Sequence, residues 1–122
     1  ALIIAVLEKR AGFYFSNSDT YINVVGGLRL DEPAVDLSVA MALISSLKDV
    51  PIPENALAFG EIGLGGEIRS VANAQARINE ASRLGFTKII IPYHNLKSVS
   101  SDTATIYGVK NIKEAYEAML YE

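Results

Sequence analysis

No cysteine occurs anywhere in the sequence, and histidine occurs once, at His94. Without thiols there is no disulfide framework, no thiolate nucleophile and no cysteine-based zinc or iron–sulfur site. A lone histidine in a Pro-Tyr-His-Asn turn reads as a solvated loop residue rather than a ligand or a base, so no metal site is expected. Long hydrophobic runs are missing too. None approaches the roughly 18 residues of a membrane span. Leu2 to Leu7 is short and is followed at once by Glu8, Lys9 and Arg10, which suits neither a signal peptide nor an anchor. The expectation is a soluble, cytoplasmic domain with no membrane partner. A surplus of positive charge is also absent: 11 lysines and arginines against 14 aspartates and glutamates leave a formal charge of -3. That argues against a uniformly basic nucleic-acid module, so any DNA contact requires a local patch or basic surface from another part of the protein.

What is present is an apolar chain of one domain's size. Half of the 122 residues are hydrophobic, which excludes intrinsic disorder, and a chain of this length buries roughly two-thirds of the surface its unfolded form exposes. The organising stretch runs from Asp19 to Leu47. Thr20 to Val25 reads as a strand, Gly26-Gly27 breaks or bends it, and Asp31-Glu32-Pro33 supplies a helix start. Val35, Leu37, Val39, Ala40, Met41, Leu43, Ile44 and Leu47 then cover most of a helix circumference, which predicts a central helix buried on more than one side.

Ahead of this stretch, Leu2 to Leu7 fits a helix or a buried strand, with a helix ending near Ala11-Gly12 preferred. Phe13 to Phe15 reads as a strand that turns at Ser16 to Asp19 into Thr20 to Val25, a first hairpin. Beyond the helix, Lys48 to Asn55 is an extended connection with two prolines, and Leu57 to Ile62 is a strand. The glycines at 63, 65 and 66 turn it back through Glu67-Ile68-Arg69, a second hairpin. These glycines do not make a phosphate loop, since no Lys-Ser/Thr pair follows them and they open no helix. Ser70 or Asn73 is expected to cap a helix that stops at Gly85. Lys88 to Ile91 reads as a buried strand of the parallel type ended by Pro92, Asn95 to Asp102 as a polar loop, and Thr103 to Tyr107 as an edge strand. Asn111 caps a last amphipathic helix with Ile112, Ala115, Tyr116 and Met119 inward. The pattern gives a mixed α/β (α+β) fold. Residues 1–122 are expected to form a single domain, and the opening at Ala1 reads as a cut from a longer polypeptide.

Four segments are specific: NVVGG (23–27), EPAVDL (32–37), FGEIGLGGEIR (59–69) and GFTKIIIP (85–92). Together they resemble the carboxy-terminal Lon-protease-like domain of the RadA (Sms) family of bacterial DNA repair proteins, over almost the whole chain. The resemblance implies the Lon peptidase domain fold, related to ribosomal protein S5 domain 2.

Lon peptidases carry their serine in a Pro-Ser-Ala-Gly turn at the start of the long helix and their lysine base in the next helix. The chemistry needs a hydroxyl where free backbone N–H groups can hold an oxyanion, and an amine able to lose its proton. The matching turn is Pro33-Ala34-Val35-Asp36, so Ala34 stands where the serine would be. An ungapped overlay brings Arg77 to the lysine position, and a guanidinium stays protonated. Asp36 replaces a glycine, and its charge opposes an oxyanion. Ser38, one turn along, would displace attack by roughly 5 Å. Arg77 fits either an ion pair with Asp36 across the old cleft or an outward phosphate contact. Arg29, Lys48 and Arg69 are further DNA-contact candidates, in or beside loops next to the central helix.

The expectation is therefore a pseudo-peptidase, a non-catalytic assembly and DNA-contacting domain of an ATP-dependent recombination and repair protein that drives branch migration. What the family implies is a homo-hexameric ring acting as a DNA-dependent ATPase, with a zinc finger and a RecA-like ATPase domain upstream. ATP, magnesium and zinc are expected only in those missing domains. Expected partners are single-stranded or branched DNA, met through the backbone, and a RecA-type recombinase. The competing readings are an active serine–lysine peptidase of the Lon type and a small-molecule kinase. The first lacks its dyad, and the second lacks a phosphate loop.

Overall fold

Pro33 opens a 3₁₀ turn, Pro33–Val35, that runs directly into helix α1, Asp36–Lys48. Proline is tolerated there because its fixed φ suits the first turn and its missing N–H has no helical partner to lose. The computed structural model describes residues 33–122. The expected first helix, the first hairpin, the Asp31-Glu32 helix start and Arg29 lie outside the described residues. At its far end α1 closes in a Schellman arrangement, with Asp49 at φ 55 and the Val50 N–H donating to the Ser45 carbonyl at 3.1 Å. Aspartate is among the few residues that visit this left-handed region at modest cost.

The helix is central, as its sequence predicts. Leu37, Val39, Ala40, Met41, Leu43 and Ile44 are all buried. Leu47 is a correction: it is 39% exposed, so the apolar belt ends a turn early.

The stretch expected as one strand from Leu57 to Ile62 is two, β1 (Ala56–Ala58) and β2 (Glu61–Ile62). The break lies at Phe59-Gly60. Gly60, at φ 157, donates its N–H to the Ala34 carbonyl at 2.8 Å and accepts the Leu37 N–H at 2.9 Å, which draws the chain out of the sheet onto the start of α1. A Cβ at Gly60 would stand 3.0 Å from Ile68 Cγ2.

Strand β2 pairs antiparallel with β3 (Ile68–Arg69), Ile62 opposite Ile68, as the expected second hairpin. Its tip is a tight turn with Gly66 in the left-handed region at φ 85, donating to the Gly63 carbonyl. Helix α2 follows at Ala74–Arg83. Asn73 does precede it, but capping by its side chain is overturned: its backbone is left-handed and the side chain makes no cap bond. Ser70 lies outside the helix. The expected stop is there, with Gly85 at φ 97 and the Phe86 N–H donating to the Ala81 carbonyl.

Strand β4, Lys88–Pro92, is buried along its whole length and lies between β1 and β5 (Thr105–Val109), parallel to both. Pro92 ends the strand as its last residue, opposite Val109. The expected edge strand starts two positions later than Thr103, and the expected polar loop begins instead as a 3₁₀ helix, Tyr93–Ser98. Helix α3, Ile112–Tyr121, is capped as expected: the Asn111 side chain accepts the Glu114 N–H at 2.8 Å. Ile112, Ala115 and Met119 are buried, with Tyr116 half-buried.

Side chains alternate across β4 with the period of two that a strand imposes. Ile90 joins the core built by α1 and α3, whereas Ile89 and Ile91 join Phe59, Ala74, Ile78 and Ala81 on the opposite face. The described residues thus form an α/β arrangement with a three-stranded parallel sheet covered on both faces. Lys88, also buried, extends its Nζ to the Met119 carbonyl at 3.2 Å near the end of α3, where a cation complements the helix dipole. No helix among the described residues is long and apolar enough to cross a membrane.

Candidate functional site

The start of α1 is where a peptidase-like site would be built. Ala34 is buried there and presents only a methyl group, and its carbonyl is taken by Gly60. Helix starts carry free N–H groups that serve as oxyanion donors. Here the Leu37 N–H is already engaged by the Gly60 carbonyl. The hydroxyl one turn along, Ser38 Oγ, donates to the Val35 carbonyl at 2.9 Å and is directed back into its own turn.

Asp36, on the same turn, accepts the Ile62 N–H through Oδ2 at 3.1 Å. Burial raises the pKa of its carboxyl, the Ile62 bond opposes that, and repulsion from Glu61 adds to it. Arg77 Nε donates to the Ala72 carbonyl at 3.0 Å, just ahead of α2. Each of the two side chains thus has a backbone partner of its own.

Arg69 extends from β3 and pairs with Glu67 at 3.5 Å, both side chains about half exposed. Residues 70–73 link β3 to α2, and Arg77 lies one turn into that helix. Lys48 sits at the other end of α1, roughly 18 Å along the axis from Asp36 at 1.5 Å per residue, with its Nζ 4.9 Å from the Tyr116 ring centroid.

The hairpin glycines hold their own anion. Glu67 Oε1 accepts the Gly65 N–H at 2.9 Å, and a Cβ at Gly63 would overlap the Glu67 carboxylate. The Glu67 carboxyl is held below its ordinary range by its own backbone N–H, the Gly65 N–H and Arg69. A loop whose amide is filled by an internal carboxylate is not a vacant phosphate cradle, in agreement with the sequence reading.

A second cluster escapes sequence reasoning. His94 is exposed, as expected of a loop residue, but it meets the Tyr93 ring edge-on, and Lys110 reaches the same ring from the end of β5. No local signal joins residues so distant in sequence. Only the register of β4 against β5, which sets Pro92 opposite Val109, brings them together.

Comparison with known proteins completes the description. A family model described as subunit ChlI of Mg-chelatase matches residues 3–95. The chain is 44% identical over 98% of its length to DNA repair protein RadA of Halalkalibacterium halodurans, covering 26% of that protein. It is 49% identical over 93% of its length to DNA repair protein RadA of Streptococcus pneumoniae, covering 27% of it. To DNA repair protein RadA of Escherichia coli it is 40% identical over 94% of its length, covering 25% of it. The chain thus spans about a quarter of the length of the curated relatives it matches.

Proposed function

The chain belongs to the family described as subunit ChlI of Mg-chelatase, and on that footing we propose that it is a non-catalytic, Lon-protease-like assembly and DNA-contacting domain of a RadA-type DNA repair protein. The observation that carries this reading is the likeness to proteins named DNA repair protein RadA across nearly the whole chain. That likeness favours DNA repair over the chelatase in the family's description. In the whole protein the domain would sit beside an ATPase domain and a zinc finger, which would hold ATP, magnesium and zinc. It would take its place in a homo-hexameric ring acting on single-stranded or branched DNA with a RecA-type recombinase.

The start of α1 supports the absence of peptidase chemistry. Acylation needs a nucleophile, a base and free donors for the oxyanion. Ala34 offers no nucleophile, Arg77 cannot release its proton at neutral pH, and the Leu37 amide is engaged.

DNA contact would fall to cations that meet phosphates. The candidates are Arg29, Lys48, Arg69 and Arg77. Each phosphate contact contributes a salt-dependent increment, and repetition around a ring converts weak single contacts into avidity. The test is replacement of Arg29, Arg69 and Arg77 by alanine in the full-length protein, followed by DNA binding against salt concentration. A smaller salt slope with intact DNA-independent ATP hydrolysis supports the contact role. An unchanged slope and affinity removes it and leaves an assembly scaffold.

A further inference from the structure

An aromatic and cationic cluster at the carboxyl ends of β4 and β5 plays no part in the reading above. The chain leaves β4 at Pro92 and enters the 3₁₀ helix at once. That helix is fixed from two sides. Leu96 lies so close on the β5 backbone that a methyl group at Gly108 would overlap it. Buried Asn95 accepts the Val71 N–H at 3.0 Å and donates to the Val71 carbonyl at 3.1 Å. Tyr93 and His94 are thereby held at the carboxyl end of the central strand, ring centroids 5.7 Å apart at an interplanar angle of 85°. Tyr93 remains 43% exposed. Beside them opens a pocket of about 410 Å³ whose described walls are Tyr93, His94, Leu96 and Lys97.

The position and the chemistry of this pocket agree. Its volume lies within the range of small-ligand sites, and the carboxyl ends of parallel strands are where open α/β sheets bind ligands. One cation lines it and a second stands over the ring of Tyr93. Lys97 is part of the wall, and Lys110 places its Nζ 4.5 Å from the Tyr93 centroid. Neither forms an ion pair among the described residues. The neighbouring carboxylates are engaged: Glu67 with the Gly65 N–H and Arg69, and Glu114 with the Lys110 N–H at 2.8 Å. Rings and an apolar side chain favour a planar ligand, and the two ammonium groups favour one that carries negative charge.

We propose that this pocket takes one unpaired nucleotide of single-stranded DNA, its base against the Tyr93–His94 pair and its phosphate between Lys97 and Lys110. The inference rests on the DNA-contacting role and adds a base contact to it. Stacking on aromatic rings tolerates any base sequence, as a protein that travels along DNA requires. A fully paired duplex keeps its bases stacked and has none to offer.

The test uses the full-length protein and an oligothymidylate carrying one 5-iodouracil, irradiated and mapped by mass spectrometry. The expected crosslink is at Tyr93 or His94. Tyr93→Ala is expected to weaken oligothymidylate binding about fivefold or more, with the salt slope and duplex binding unchanged. Lys97→Gln is expected to reduce the salt slope. Tyr93→Leu, which keeps apolar bulk, guards against a loss caused by unfolding and should bind weakly while melting like the parent. A crosslink confined to other residues, or equal loss on duplex and single strand, overturns the proposal. If the arginine triple variant loses salt slope while Tyr93→Ala binds like the parent, the nucleotide pocket falls and the DNA-contacting role stands. If neither set changes binding, both fall.

Discussion

The Asp36 carboxylate accepts the Ile62 N–H at 3.1 Å, tying the first turn of α1 to the hairpin that carries Arg69. A side chain that at a peptidase helix start would repel an oxyanion here serves as a brace. Its partner Ile62 is buried, so the bond closes off an amide with little access to water.

That brace has a pH signature. Burial, the largest influence, raises the Asp36 pKa. A folded-state pKa above the unfolded value means the folded chain binds the proton more tightly, so this contribution is present below the unfolded value of about 4 and is lost as pH rises through the folded one. Asp36→Asn keeps an acceptor oxygen without the charge. It is expected to flatten this window and to melt at or above the parent temperature near neutral pH. Asp36→Ala orphans the Ile62 N–H and is expected to cost about 1–2 kcal/mol. Thermal melts across the acid range compare the three.

Restoring the missing dyad should not restore chemistry. The double variant Ala34→Ser with Arg77→Lys regains a hydroxyl and an amine, but the Leu37 N–H remains bonded to the Gly60 carbonyl and Asp36 remains beside the turn. The expected outcome is no fluorophosphonate labelling and no peptide turnover. Rapid turnover would refute the reading of this site.

Leu43, 1% exposed in the core between α1 and the sheet, is a test of the helix as centrepiece. Leu43→Asp places an unpaired charge there at a cost of several kcal/mol, against a typical total stability of about 5–15 kcal/mol. The expected result is loss of the cooperative melt.

Two glycines separate steric from backbone effects. Gly108→Ala drives a methyl into Leu96 and is expected to cost about 1–3 kcal/mol through overpacking. Gly85→Ala meets nothing within 4 Å but must hold φ 97, which is expected to cost about 1–2 kcal/mol from backbone strain alone. Denaturant unfolding measures both, and only Gly108→Ala should also disturb the Tyr93 pocket.

The sequence by itself determined what depends on neighbours along the chain. The all-round apolar helix from Asp36, the glycine hairpin, the stop at Gly85, the Asn111 cap and the buried Lys88–Ile91 run all follow from local periodicity and capping chemistry. So does the lack of a hydroxyl at Ala34. Tertiary structure alone decided where the bonds between elements go. Gly60 splits a run that looks continuous, because its amide and carbonyl find Ala34 and Leu37 instead of a neighbouring strand. Asn73 holds the cap position with a backbone conformation that leaves its side chain unused there. Lys48 meets the Tyr116 ring of another helix, and Tyr93 meets Lys110 because parallel strands set their carboxyl ends side by side. Such pairings depend on register and crossover, which are fixed by packing across the core and leave no periodic trace in the chain.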